Sequence, residues 1–108
     1  MYYDLVITNG TLVYSDTMRK ANVCITNGKI VDVIDHTDFE AAATYDASNL
    51  HVLPGLIDMH VHSRDGKNSR RKKEDIAHST MAAACGGITT IAEMPNCFPA
   101  ACSLQAFK

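Results

Sequence analysis

The chain has 108 residues, which is enough for one small domain or for part of a larger protein. Hydrophobic residues make up 46% of the chain and charged residues 20%, so the composition excludes an intrinsically disordered protein. Ten Lys and Arg against twelve Asp and Glu give a formal net charge of −2, which excludes a global field that would recruit nucleic acid or an anionic membrane.

The lack of targeting signals and the spacing of the cysteines predict a cytoplasmic protein. Hydrophobic stretches are short and interrupted by polar residues, so we expect no membrane span. The first residues lack the basic and then apolar layout of a secretory signal peptide. No two of the four cysteines are separated by two residues, as they are in zinc knuckles and redox motifs. We expect reduced thiols, with Cys24 and Cys85 as small buried apolar residues.

Residues 1–53 are predicted to form a β-rich module. The segments Ile7–Val13 and Ile25–Val31 both place Asn-Gly between β-branched, apolar runs. Asn-Gly is typical of a type I′ turn, because both central residues of that turn have positive φ. The repeat therefore predicts two hairpins, formed by residues 3–8 with 11–14 and by residues 22–26 with 29–34.

The rest of this module carries weaker signals. Residues 36–49 are polar and rich in Ala, and we interpret them as a loop or short turn. A short strand is predicted near residues 50–53. Because no catalytic cluster occurs in this part of the sequence, we interpret the module as structural.

Residues 54–108 have a different pattern. Pro54-Gly55 marks the boundary. The pattern then predicts a strand, a helix and a second strand, at residues 56–62, 74–85 and 88–94. Strand, helix and strand in this order form a βαβ unit with parallel strands. Ser103 is placed to cap a second helix that opens at residues 104–107.

The ends of the first predicted helix carry their own signals. Glu74 and Asp75 suit the positive N-terminal end of the helix dipole. Gly86 and Gly87 follow the helix, as glycines do at many helix C-termini.

Two histidines stand at the end of the first predicted strand of this part. His60 and His62 are two residues apart, so in a strand their side chains point the same way. Neutral imidazole is a common ligand of zinc and similar ions, and ligand sites in α/β folds lie at the carboxyl ends of strands. The pair therefore predicts a metal site. The alternative is that the spacing is coincidental or that the histidines face solvent.

The run Leu53–Arg64, with Pro-Gly-Leu-Ile-Asp leading into His-Val-His, resembles the start of the barrel in the amidohydrolase superfamily. Residues 82–90 and Met94-Pro95-Asn96 continue the likeness, and Asp4–Ile7 resembles the N-terminal β-module of these enzymes. The chain is most similar to the cyclic amide hydrolases, and among them to dihydroorotase.

The resemblance implies an α/β protein in two parts. Residues 1–53 would be an N-terminal β-module, part of a β-sandwich, and residues 54–108 the first βαβ unit of a (β/α)8 barrel. Because such a barrel takes roughly 250 residues, we expect this chain to hold only its start. We also expect the isolated chain to be inactive.

The resemblance further implies a binuclear metal centre, usually of zinc, with His60 and His62 as ligands. A hydroxide shared by the two ions would attack the ring amide. The other metal ligands and the general base would come from later strands. The reaction implied is the reversible hydrolysis of dihydroorotate to N-carbamoyl-aspartate in pyrimidine biosynthesis.

Substrate choice depends on two further residues. In dihydroorotases an arginine just after the histidine pair and the asparagine of Met-Pro-Asn hold the substrate carboxylate, and the resemblance carries these roles to Arg64 and Asn96. A forked, permanently charged guanidinium suits a carboxylate. The alternative is that Arg64 belongs to a solvated basic loop.

Departures from the dihydroorotase pattern leave the substrate open. Ser63 stands where leucine is usual, Glu93 before Met94-Pro95 is similar to allantoinases, and Cys97-Phe98 replaces a small polar residue. The alternatives are an allantoinase or a dihydropyrimidinase (hydantoinase). An alternative of another class is an inactive, dihydroorotase-like structural partner chain.

The remaining expectations concern partners. Residues 67–73 hold five of the ten basic residues, and we interpret them as a solvated loop. No aromatic residue is interleaved with them, so we expect no nucleic-acid partner. The expected partner is a small, carboxylated cyclic amide, and the full-length protein is expected to be a homo-oligomer. His78 is interpreted as a surface or packing histidine.

Overall fold

The computed structural model describes residues 2–65, 74–96, 100 and 103–105. It divides the chain into two compact units, Met1–Pro54 and Gly55–Lys108, and we treat each by itself. The basic loop predicted at residues 67–73 and the Cys97-Phe98 departure lie outside the described residues.

The first unit is a sheet of five strands. They are β1 (Tyr2–Val13), β2 (Met18–Thr26), β3 (Lys29–Ile34), β4 (Glu40–Asp46) and β5 (His51–Val52). The order across the sheet is β3-β2-β1-β4, and β5 also pairs with β1. The pairs β1–β2 and β2–β3 are antiparallel, whereas β4 and β5 run parallel to β1. β1 is therefore the central element of this unit.

The buried side chains of this unit form two small clusters. One consists of Tyr3, Val6 and Cys24. The other consists of Leu12, Ala21 and Val23. Both clusters use residues of β1 and β2, so the pairing of these two strands forms the core. The predicted burial of Cys24 is confirmed.

The second Asn-Gly forms the predicted hairpin. Asn27 and Gly28 have φ values of 52° and 70°, and they connect β2 to β3 as a two-residue turn. The Asn27 N–H donates to Asp4 Oδ2 at 2.6 Å, which fastens the turn to β1.

The first Asn-Gly does not form a turn, so the hairpin predicted for residues 3–8 and 11–14 is wrong. Asn9 and Gly10 lie inside β1, where the register with β2 shifts between Ile7 and Gly10. Asn9 has a φ of 62°, and its N–H donates to Asn22 Oδ1 at 3.0 Å. The positive φ that suits a turn here forms a β-bulge, because the neighbouring strands supply hydrogen-bond partners.

The loop predicted at residues 36–49 is also wrong. Half of it is β4, which pairs with β1 from Tyr2↔Glu40 to Thr8↔Asp46. Its Ala-rich sequence has weak strand propensity, and the backbone ladder with β1 stabilises it instead. The short strand predicted near residues 50–53 is confirmed as β5.

The second unit contains the predicted βαβ arrangement. Its elements are β6 (Leu56–Val61), α1 (Ile76–Cys85) and β7 (Ile88–Glu93), and β6 pairs with β7 in parallel. A Cβ on Gly55 would overlap the Thr89 side chain of β7, so only glycine allows this close approach. The complete barrel stays a prediction.

The ends of α1 follow the sequence signals. Asp75 is the N-cap, so the helix begins two residues later than predicted. Gly86 and Gly87 end the helix, and Gly87 has a φ of 81°. Cys85 is exposed, so its predicted burial is wrong: β7 contacts α1 but does not cover this side chain.

Residues 103–105 form a turn, and the end of the second predicted helix lies outside the described residues. No helix in the described part of the chain is long and apolar enough to cross a membrane.

Candidate metal and substrate site

The two histidines of the predicted metal site lie together at the carboxyl end of β6. His60 is in the strand and His62 directly follows it, so the alternation of the strand directs both rings to one side. Their Nε2 atoms are 2.9 Å apart, and the ring planes meet at 60°. The structure therefore brings together the pair that the sequence singled out.

The geometry of the pair fits a shared metal ion. Zinc–imidazole bonds are about 2.0–2.1 Å long, so two nitrogens on one ion must lie within about 4.1 Å of each other. The separation of 2.9 Å between His60 Nε2 and His62 Nε2 lies within this limit and is also the length of a hydrogen bond between the two rings. Among the described residues, His62 Nδ1 is buried and has no hydrogen-bond partner. Two imidazole nitrogens are a donor set that suits zinc and similar ions.

The pair supplies only two ligands. Across the described residues, no group of three or more His, Cys, Asp and Glu side chains is arranged to hold a metal ion. A complete metal site therefore needs donors in addition to His60 and His62.

Asp58 supports this end of β6, and sequence reasoning gave it no role. It is half-buried, and its Oδ1 accepts the His60 N–H at 3.0 Å. Asp58, His60 and His62 alternate along the chain, which is the signal that was available in the sequence.

Glu93, the last residue of β7, contacts the segment that follows His62. Its Oε1 and Oε2 accept the Ser63 N–H at 2.9 and 3.1 Å. Oε1 also lies 3.3 Å from the Arg64 N–H, which donates to it. The sequence shows that an acidic residue ends the second predicted strand. Its partners are backbone N–H groups, and only the fold reveals them.

The segment after His62 has an unusual backbone. Ser63 is 1% exposed, and its Oγ is buried with no hydrogen-bond partner within the described residues. Arg64 is half-buried and has a φ of 57°, a region that residues other than glycine rarely adopt. The Glu93 carboxylate receives the N–H groups of both residues, so it stabilises this conformation.

The same segment is fastened to the start of α1. The Ser63 carbonyl accepts the Glu74 N–H at 3.1 Å. Asp65 Oδ2 accepts the Ile76 N–H at 3.1 Å and thereby satisfies one of the free N–H groups at the helix N-terminus. Arg64 thus lies in a segment that is hydrogen-bonded both to Glu93 and to the start of α1. These contacts argue against a fully solvated loop at this position.

Asn96 lies three residues after β7, as Arg64 lies three residues after β6. Its N–H donates to the Met94 carbonyl at 2.7 Å, and the residue is exposed. The Met94 N–H donates to the Val61 carbonyl at 2.8 Å, which joins the two strand ends. No hydrogen bond links Asn96 to Arg64 or to the histidine pair within the described part of the chain.

The third histidine of this unit is a surface residue. His78 is exposed, and its Nδ1 lies 2.7 Å from Asp75 Oδ1 at the N-terminus of α1. It is not part of the histidine pair, which agrees with its interpretation from the sequence.

Comparison with known sequences gives relatives named allantoinase, dihydroorotase and hydantoinase. The chain is 39% identical over 106 residues to an allantoinase of Desulfitobacterium hafniense, a match that covers 97% of this chain and 23% of the relative. It is 45% identical over 94 residues to a dihydroorotase of Lactobacillus johnsonii, covering 87% of this chain and 21% of the relative.

The third kind appears among solved structures. The L-hydantoinase (dihydropyrimidinase) from Arthrobacter aurescens matches with a TM-score of 0.85 and 38% identity, covering 97% of this chain and 23% of that one. The zinc complex of N-acyl-D-glutamate deacylase from Bordetella bronchiseptica matches with a TM-score of 0.61 and 28% identity, over 84% of this chain and 18% of that one.

The chain spans about a quarter of the length of the relatives it matches. Its β-strand module is similar to the N-terminal region of hydantoinase. Residues 51–103, which include the histidine pair, match the Amidohydrolase family. The chain is therefore similar to the amidohydrolase family, through the match at residues 51–103 and through these relatives.

Proposed function

We propose that this chain is the N-terminal part of a metal-dependent hydrolase of cyclic amides, and that its substrate is dihydroorotate, which it opens reversibly to N-carbamoyl-aspartate. The observation that carries the proposal is the 2.9 Å separation of the Nε2 atoms of His60 and His62 at the carboxyl end of β6. Ligand sites of α/β barrels lie at this end of the strands.

In this proposal His60 and His62 hold a divalent ion, for which zinc is our candidate. Such an ion, when bound, lowers the pKa of water and polarises an amide carbonyl. Asp58 fixes the backbone at His60 through its 3.0 Å hydrogen bond. The remaining metal ligands and the general base lie in later strands of a (β/α)8 barrel, beyond this chain.

Arg64 and Asn96 select the substrate in this proposal. The guanidinium of Arg64 binds the ring carboxylate, and the amide of Asn96 donates a hydrogen bond to it. Both residues follow the carboxyl ends of adjacent parallel strands. The hydrogen bond from the Met94 N–H to the Val61 carbonyl keeps those ends aligned. A carboxylated six-membered cyclic amide matches this pair of donors.

A second candidate function is the hydrolysis of hydantoins or allantoin. It is favoured by the similarity to L-hydantoinase, which extends over 97% of the chain at a TM-score of 0.85. These rings lack the carboxylate of dihydroorotate, so the two candidates make different demands on Arg64.

The test is a substrate comparison with the full-length protein that carries this chain. The zinc-loaded protein is assayed for ring opening of dihydroorotate, allantoin and a 5-substituted hydantoin. We expect dihydroorotate to give the highest kcat/KM, and His60→Asn to abolish turnover. His78→Asn is the matched control, because His78 is an exposed histidine outside the pair.

Other outcomes decide between the alternatives. A preference for allantoin or hydantoin supports the second candidate. A stable, zinc-free protein without turnover on any of the three rings supports an inactive structural partner chain. The mass of the native protein in solution tests the proposed homo-oligomer.

A further inference from the structure

The carboxylate of Glu93 accepts hydrogen bonds from the backbone of the segment that follows β6. It is half-buried at the end of β7, next to the end of β6. Both of its oxygens accept the Ser63 N–H, at 2.9 and 3.1 Å, and Oε1 accepts the Arg64 N–H at 3.3 Å. One side chain therefore receives two consecutive N–H groups.

These contacts matter because the Ser63 N–H has few alternative partners. Ser63 is 1% exposed, so water does not reach it freely. A buried N–H without a partner is strongly disfavoured, and a carboxylate is a stronger acceptor than a neutral oxygen. Glu93 therefore favours this local conformation over an extended one.

The backbone conformation determines the direction in which the Arg64 side chain leaves the main chain. Its φ of 57° is in the left-handed region, which directs the chain and the Cα–Cβ bond differently from an extended residue. Ser63 is the only residue between Arg64 and the candidate metal ligand His62. The Glu93 contacts thus fix the starting point of the Arg64 side chain relative to the histidine pair.

We propose that Glu93 is a positioning residue that holds Arg64 for binding the carboxylate of a cyclic amide substrate. This inference rests on the proposed function, and it adds a residue that determines substrate class. Glu93 acts through the backbone and does not itself touch the substrate.

The first test measures the contacts without using activity. Hydrogen exchange of the backbone around residues 61–65 is followed in Glu93→Ala and in Glu93→Gln of the full-length protein. We expect the Ser63 and Arg64 N–H groups to exchange at least about tenfold faster in Glu93→Ala, because both acceptor oxygens are lost. Glu93→Gln keeps one acceptor oxygen and should show a smaller effect. Glu40→Gln, an exposed glutamate of β4, is the matched control.

The second test measures selectivity. Dihydrouracil is the dihydroorotate ring without its carboxylate, and it is used as a substrate or a competitive inhibitor. We expect Glu93→Ala to raise KM for dihydroorotate about tenfold or more. The KM or inhibition constant for dihydrouracil and the zinc content should stay unchanged. If Glu93→Ala does not fold, Glu93→Gln gives the same comparison.

Two results would overturn the proposal. One is unchanged exchange of both N–H groups in Glu93→Ala. The other is an equal loss of affinity for both rings, which would mean a general structural role. If the wild-type protein does not hydrolyse dihydroorotate, the proposed function fails. The exchange rates, together with calorimetric binding of the two rings, then still decide the role of Glu93.

Discussion

Asn9 Nδ2 donates a hydrogen bond to Asp46 Oδ1 at 2.9 Å, and this contact joins the bulge of β1 to the end of β4. The two residues are 37 positions apart in the sequence. Ser48 donates to the same oxygen through its Oγ at 2.7 Å and its N–H at 3.1 Å. Three donors therefore converge on one carboxylate oxygen.

This cluster makes the module sensitive to acid. The hydrogen bonds from Asn9 and Ser48 lower the pKa of Asp46 below its ordinary value. A carboxyl group with a lowered pKa stabilises the fold at pH values above its unfolded pKa of about 3.9, and this stability is lost as the pH falls towards the folded pKa. We expect Asp46→Asn to unfold at a lower urea concentration at pH 7 and to lose less stability than wild type on acidification.

The control for this experiment is Asp16→Asn, which alters an exposed aspartate between β1 and β2. Urea midpoints at pH 7 and at a pH near 3 are compared for the three proteins. Parallel loss of stability in wild type and Asp46→Asn would contradict the role of this carboxylate.

Gly10 should not tolerate a side chain. A Cβ at this position would lie 2.6 Å from Val52 Cγ2 and 3.4 Å from Ala47 Cβ. We expect Gly10→Ala to lower the free energy of unfolding by about 1–3 kcal/mol, as overpacking of a core does. Chemical denaturation measures the change.

Val52→Ala offers a check of the cause, because it removes the closest atom. In the double variant, Gly10→Ala should cost less than it does in wild type. Strictly additive effects would show that the contact with Val52 is not the cause.

The histidine pair should control metal content. His60→Asn and His62→Asn each remove one of two nitrogens that lie 2.9 Å apart, so we expect each variant of the full-length protein to lose most of its bound zinc. Elemental analysis after dialysis measures the metal. His78→Asn should keep the wild-type content, and full zinc in both pair variants would contradict the proposed ligands.

Arg64 should control affinity for a carboxylated ring. Arg64→Met removes the guanidinium and keeps an apolar stem, so we expect a loss of about 1.5–3 kcal/mol in the binding of dihydroorotate, seen as a raised KM. The affinity for a ring without a carboxylate should change little. An unchanged KM for dihydroorotate, or a wild-type preference for allantoin, would favour the second candidate function.

Local sequence signals were sufficient where the chain interacts with itself over short distances. The alternation of His60 and His62 and the glycines after α1 predicted their structure directly. Asn27-Gly28 forms the expected turn because both residues adopt positive φ and because the two strands they connect are consecutive in the chain. In such cases the backbone conformation is decided within a few residues.

The same dipeptide at Asn9-Gly10 forms a bulge, and this shows what local signals leave open. Its partners are Asn22, on β2, and Asp46, at the end of β4. β4 itself was missed, since its stability comes from pairing with β1 and not from its own propensity. These outcomes depend on residues far along the chain.

The sequence by itself indicated the similarity to the amidohydrolase family, the βαβ order and the alignment of the two histidines, because these follow from residue types at fixed short spacings. Only the tertiary structure decided that Glu93 holds Ser63 and Arg64, because the hydrogen bonds join a side chain to backbone groups about thirty residues earlier. Backbone N–H groups are the same in every residue except proline, so no sequence pattern marks which of them a distant carboxylate will accept.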